Sequence, residues 1–211
     1  MGDQGHRGGS GLAASTKGLA VVGVVLLAVA VLRQDPGPPK PELGTTLAVR
    51  AGAPMRASRP VSLSIPSLGI DAPIENLGTD DDQRLQTPSD PQAAGWYRGS
   101  STPGAAGAAV IAGHVTWSQQ PAVFFRLGRL SPGQRVRVKR ADGGTAVFVI
   151  TEIEEYAKAD FPTSRVYRPG IRPALRLITC GGRFDAARDT YTKNVVAYGT
   201  LVAARTGERH S

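Results

Sequence analysis

Apolar and polar side chains alternate in short bursts along most of the chain, and each burst reads as a strand. Val61-Ser-Leu-Ser-Ile65 alternates cleanly and is then punctuated by Pro66 and Gly69. Ile70-Asp-Ala-Pro-Ile74 predicts a second short strand. Ala108–Ala112 is an apolar run bounded by glycines, the pattern of a buried strand. Arg135-Val-Arg-Val-Lys139 alternates again, and Ala141-Asp-Gly-Gly144 supplies a hairpin turn into Thr145–Ile153. Ala174–Thr179 and Asn194–Val202 complete the set. Ala174–Thr179 places Leu175, Leu177 and Thr179 on one face and Arg176 and Ile178 on the other, and reads as ending at Cys180-Gly-Gly182. Pro121–Gly128 fits a short helix, and no longer helical period is present. Asp80-Asp-Asp82 and Thr87–Gln92 read as loops, the aspartates as a solvated turn rather than a calcium site. Many short strands joined by Gly/Pro turns predict an all-β domain, a closed barrel or a sandwich.

The first sixty residues follow a different pattern. Residues 1–17 are polar and rich in Gly and Ser, and are expected to form a cytoplasmic tail. Gly18–Leu32 is an unbroken apolar run between Lys17 and Arg33. As a helix it spans roughly 22 Å against a bilayer core of about 30 Å. Two readings fit: a signal peptide cleaved after Ala28-Val-Ala30, or an uncleaved anchor extended backward, with Lys17 snorkelling to the interface. Either way the chain is exported, and the anchor reading puts the folded domain outside a cell membrane. Residues 33–60 carry Asp35-Pro-Gly-Pro-Pro39, Pro41, Pro54 and Pro60, and read as an extended linker without a core. The folded domain is expected over 61–205, able to fold without what precedes it, with 206–211 as a tail.

Composition narrows the class. The net charge of +8 comes from 25 basic and 17 acidic residues. The excess is spread out, with seven basic and three acidic residues in 1–60, and no nucleic-acid motif accompanies it. Attraction to anionic polymers is general rather than specific. With one cysteine the fold has no internal disulfide and stands on its core.

That cysteine, Cys180, is followed by two glycines at the expected strand end, where a thiol can meet a substrate. A lone cysteine is more often a small buried apolar residue. Of three histidines, His6 and His210 lie in the tails, so His114 is the one inside the domain. It too follows a glycine at a strand end, in Ala108-Ala-Val-Ile-Ala-Gly-His114. One core cysteine and one core histidine in matching positions suit thiol catalysis, with the imidazole moving the proton. They are too few for a zinc site.

Ile111-Ala-Gly-His-Val115 and Leu177-Ile-Thr-Cys-Gly-Gly182 resemble the signature segments of sortases, membrane-anchored cysteine transpeptidases of Gram-positive bacteria. Val61-Ser-Leu-Ser-Ile-Pro66, Leu68-Gly-Ile-Asp-Ala-Pro-Ile74, Gly95-Trp-Tyr97, Pro121-Ala-Val-Phe-Phe-Arg-Leu127 and Gly181-Gly-Arg-Phe-Asp185 extend the resemblance over Val61–Ala203, toward the actinobacterial class F. It implies a closed eight-stranded β-barrel with short helices and an uncut N-terminal anchor. It implies Cys180 as nucleophile, His114 as acid–base group and an arginine after the cysteine. Arg183 and Arg188 both qualify by order; Arg188 is preferred because eight residues beyond Cys180 are enough to turn back to the site, Arg183 is second and a substrate contact, and Lys193 is a third candidate. Thr179 is implied to orient substrate. Thr116-Trp117 departs from the family, which has an acidic and a small residue there, and is expected to affect only the rim of the site. The implied partners are proteins carrying Leu-Pro-x-Thr-Gly-like sorting signals and an amine of peptidoglycan or its lipid-linked precursor. No metal or organic cofactor and no nucleic acid is implied. Two other functions fit the residues: a secreted cysteine peptidase ending in hydrolysis, and a non-catalytic barrel that binds wall polymer.

Overall fold

A computed structural model describes residues 37–167 and 170–205. The expected N-terminal tail, the apolar segment 18–32 and the C-terminal tail 206–211 lie outside the described residues. Among the described residues no helix is long and apolar enough to cross a membrane.

The strands are β1 (Pro60–Ile65), β2 (Ile70–Leu77), β3 (Ala94–Tyr97), β4 (Ala108–Ala112), β5 (Thr116–Trp117), β6 (Gln120–Pro121), β7 (Arg135–Arg140), β8 (Thr145–Ala157), β9 (Ala174–Asp185) and β10 (Thr190–Arg205). Eight of them close a barrel in the order β1-β2-β3-β4-β9-β10-β8-β7, while β5 and β6 form a separate two-stranded ribbon. Closure leaves no open sheet edge to template aggregation. The alternation in the sequence is what fills the barrel. Leu63, Ile65, Val136, Val138, Phe148, Leu175 and Leu177 are all fully buried in one core. Each contributes about 1.5–3 kcal/mol by leaving water.

The outer face of β4, β9 and β10 carries a second apolar cluster of Val110, Ile178, Val196 and Tyr198, closed by Val166. Val166 belongs to the short helix α1 (Thr163–Tyr167), five residues long. The expected helix over Pro121–Gly128 is instead a run of turns ending in a 3-10 turn at Leu127–Arg129.

Two expectations are corrected. The strand containing Cys180 does not end there; β9 continues through both glycines to Asp185. A Cβ at Gly181 would come within 2.7 Å of Val195 Cγ2, and one at Gly182 within 2.7 Å of Thr192 Oγ1. Gly182 also has φ +75°, the left-handed region glycine tolerates. The glycines therefore permit close packing of β9 on β10 rather than a stop.

The second correction concerns the segment before β1. It forms no strand, as its prolines dictate, but it is bound to the barrel. Leu47 N–H donates to Thr151 O at 2.8 Å, Gly52 N–H to Leu201 O at 2.7 Å and Met55 N–H to Gly104 O at 2.8 Å. Met55 packs on the core. The Arg140 guanidinium, with no exposed side-chain surface, donates to the carbonyls of Arg56 and Pro103 and pairs with Asp142. A boundary at residue 61 strips a buried charge of one acceptor, which costs about 1–3 kcal/mol. A fragment 61–205 is thus expected to melt roughly 5–10 °C below a fragment 37–205, the shift that a few kcal/mol produces in a domain of this size. Equal melting temperatures in thermal unfolding followed by circular dichroism would show that the segment adds nothing.

Candidate active site

The register of β4 on β9 builds the site. The two strands are parallel, with Ala112 opposite Ile178. Gly113 N–H extends the ladder by one bond to Ile178 O at 3.1 Å, and Thr179 Oγ1 donates to Gly113 O at 2.8 Å. The next residue along the chain is His114, in the loop after β4, on one side and Cys180, within β9, on the other. Neighbouring strands run about 4.8 Å apart, so the only core histidine and the only cysteine come to adjacent positions. Leu177 and Thr179 face the barrel interior, which turns Ile178 and Cys180 to the outer face. A Cβ at Gly113 would lie within 2.6 Å of Phe124, so the glycine before the histidine is there for packing.

Thr179 is buried and its hydroxyl is committed to the Gly113 carbonyl. Through that bond it clamps the histidine loop to the cysteine strand.

His114 is held on three sides. Its carbonyl accepts from Phe124 N–H at 3.0 Å. Its Nε2 lies 2.9 Å from Pro88 O. A carbonyl only accepts, so Nε2 carries a proton and Nδ1 is the nitrogen free to gain or lose one. The imidazole meets Trp117 edge-on, with centroids 4.9 Å apart. Trp117 therefore touches the His114 imidazole itself. Its neighbour Thr116 ties the β5–β6 ribbon to β10 through a 3.1 Å hydrogen bond with Tyr191.

The loop bearing Pro88 is pinned by Glu75. One of its carboxylate oxygens accepts from Ser89 N–H at 2.9 Å and Ser89 Oγ at 3.0 Å, and the other from Asp90 N–H at 3.0 Å. The Ser89 backbone bond is the main reason its carboxyl sits below the ordinary glutamate range, and the His114 imidazole adds to it. Sequence reasoning missed Glu75, because nothing local distinguishes it from any exposed acid on a strand.

Cys180 is half-buried and free. Burial pushes its thiol above the usual cysteine range, and the charge of Lys158 works against that. Burial thus disfavours the thiolate at this position. Across the ladder it faces Asn194 on β10.

The three candidate cations lie apart. Arg188 sits in the β9–β10 hairpin loop, 80% exposed and paired with Asp185 at 2.7 Å. Asp185 is five residues along the strand from Cys180, roughly 16 Å of ladder. Arg188 is thus not brought to the thiol, because the strand that was expected to turn at the glycines runs on past them. Lys193 is in register with Gly181, on the opposite face from Cys180, and binds the carboxylate of buried Glu155 at 2.6 Å. Arg183 is exposed, and its backbone N–H donates to Thr192 Oγ1 at 3.2 Å.

Two hollows flank the strand. One of about 320 Å³ opens beside Arg176, Ala108 and Ile171, at the start of the outer face. The other, about 590 Å³, lies between Pro38 and Lys40 and the Gly182–Arg183 stretch. Between them, the guanidinium groups of Arg165 and Arg176 stand 4.2 and 4.7 Å from the centroid of the Tyr198 ring. Among the described residues no acid, histidine and cysteine cluster fit to hold a metal is present.

Residues 63–202 match the family model described as the sortase domain. The chain belongs to the sortase family. Solved sortases share its fold. Sortase A of Listeria monocytogenes superposes with a TM-score of 0.54 at 19% identity, over 72% of this chain and 92% of its own. The SrtA sortase of Actinomyces oris gives 0.55 at 21% identity, over 77% and 87%. Sortase A of Corynebacterium diphtheriae gives 0.51 at 23% identity, over 70% and 63%. A comparison with curated proteins finds no significant match. The closed barrel expected from the family resemblance is the barrel observed, and the sortase is in general terms a transpeptidase.

Proposed function

We propose that this sortase is a membrane-anchored cysteine transpeptidase that joins proteins with Leu-Pro-x-Thr-Gly-like signals to a cell-wall amine. The observation that carries the reading is the Thr179–Gly113 clamp, which brings Cys180, within β9, level with His114 in the loop after β4. The apolar run Gly18–Leu32 supports the anchor, and the matches quoted above support the actinobacterial class.

The chemistry follows from the two side chains. His114 Nδ1 takes the thiol proton, and the sulfur attacks the threonine carbonyl carbon of the signal. The tetrahedral oxyanion needs donors or positive charge. As the intermediate collapses, the bond to the glycine nitrogen breaks and His114 returns the proton to that leaving amine. A thioester to Cys180 remains. The acceptor amine then attacks it, a new amide forms, and the thiol is released. The signal peptide would approach the thiol on the outer face of β9 beyond the apolar cluster that Val166 closes. Arg183, three residues beyond Cys180, serves the substrate from the other side.

Incubating the full chain with a Leu-Pro-x-Thr-Gly peptide and a glycine-based amine tests this directly. The expected product is the peptide ligated through its threonine, seen by mass spectrometry. Free threonine acid with no ligated product, at saturating amine, would make the protein a peptidase. No cleavage at all would leave the wall-binding barrel.

A further inference from the structure

We propose that Glu75 is a positioning residue for His114 and acts through a single peptide unit. Its carboxylate holds the N–H of the Pro88–Ser89 peptide, and the carbonyl of that same peptide holds His114 Nε2. The inference rests on the thiol mechanism above and supplies the partner its imidazole needs.

Two hydrogen bonds in series build the relay. His114 Nε2 donates to Pro88 O at 2.9 Å. Ser89 N–H donates to Glu75 Oε2 at 2.9 Å. Pro88 O and Ser89 N–H are the two ends of one planar, conjugated group, so a charge on the N–H draws electron density toward the oxygen. The carbonyl becomes the stronger acceptor, the Nε2–H bond tightens, and the proton is fixed on Nε2. Nδ1 is then left as the better base for the thiol.

Glu75 is well seated for this. Ser89 Oγ adds a 3.0 Å bond to the same oxygen, and Asp90 N–H donates to Oε1 at 3.0 Å. The loop is fastened on its other side as well. Val123 N–H donates to Pro91 O at 2.9 Å, and the next residue, Phe124, donates to the His114 carbonyl. Pro88 is buried, while Glu75 and His114 are half-buried, so solvent screens the charge and the effect is moderate.

Other titratable groups about the imidazole are committed elsewhere or play another part. Cys180 on β9 is the thiol itself. Tyr191 on β10 is bound to Thr116. Asp90 turns its carboxylate to Gln92 N–H at 2.8 Å. Among the described residues Glu75, on β2, is the acid bonded to the peptide that meets the ring.

Nitrogen-15 NMR of the full chain in detergent micelles reads the ring without any peptide. In a His6→Gln, His210→Gln background, His114 is the single labelled imidazole. Glu75→Gln keeps an oxygen for Ser89 and removes the charge. It is expected to move the Nε2–H proton upfield and speed its exchange with water roughly three- to tenfold, as a charge-assisted network reverts to a neutral one. Glu75→Ala releases the loop and is expected to mix the two tautomers. The kcat for peptide acylation is expected to fall about three- to tenfold in Glu75→Gln and about ten- to hundredfold in Glu75→Ala, with KM changed less than about twofold, the range for a lost partner behind a functional histidine. Asp71→Asn, at an exposed acid on the same strand, controls for loss of charge in general. An Nε2–H signal unmoved in Glu75→Gln overturns the relay, as does an equal movement in Asp71→Asn. A moved signal in a chain that transfers no peptide keeps the relay and sinks the transpeptidase reading.

Discussion

Cys180→Ala is expected to abolish peptide cleavage while the barrel melts within a few degrees of the parent. The loss has a simple cause: without sulfur no thioester forms, and removing a covalent nucleophile costs about 10⁴-fold or more. The preserved fold has an equally specific cause. Cys180 lies on the outer face, at the end of the apolar row, and outside both core clusters. Its backbone bonds in the ladder to Asn194 do not depend on the side chain. Deleting one half-buried sulfur leaves Thr179 to clamp Gly113 as before. Mass spectrometry of the products and a thermal melt read the two halves separately. Cleavage that survives would remove the cysteine mechanism. Unfolding would mean that the sulfur is a packing atom and that the outer row is part of the core.

His114→Ala is expected to slow acylation by at least about 10²-fold, the usual weight of a positioned acid–base group. Two features of its setting make the loss attributable to the proton. Nε2 is occupied by the Pro88 carbonyl, so only Nδ1 can exchange with the thiol and the leaving amine. The thiol, pushed up by burial, does not ionise readily by itself. An ester substrate with a good leaving group needs no proton on departure, so the defect against it should be several-fold smaller than against the peptide. Raising the pH should restore part of the rate in His114→Ala, since hydroxide then makes the thiolate. Equal defects with ester and peptide, and no recovery at high pH, would assign His114 to holding Trp117 and the β5–β6 ribbon in place.

How the fold and site were legible divides along a physical line. Patterns within one strand are local, and they were readable. Val136 and Val138 are buried where the Arg-Val alternation put them, and the hairpin at Ala141–Gly144 joins β7 to β8 as its glycines require. The pairing of a lone cysteine with a lone core histidine was also readable, because each follows a recognisable run. Ala94–Tyr97 reads as no strand of its own, since its short Ala-Gly-Trp-Tyr run becomes one only by pairing with β2 and β4. The Thr179 hydroxyl looked free to meet substrate until the parallel register aimed it at Gly113.

The amino-acid order alone thus determined which residues alternate, where the β7–β8 hairpin turns, and that one thiol and one imidazole stand inside the domain. It did so because side-chain period and glycine backbone freedom act over a few residues. Tertiary structure alone decided that β9 runs on past Cys180, that Arg188 is carried off with the hairpin, and that Glu75 pins the loop whose Pro88 carbonyl meets His114. Those outcomes depend on register between strands far apart in sequence. A shift of one residue in that pairing would turn each of these side chains to the other face.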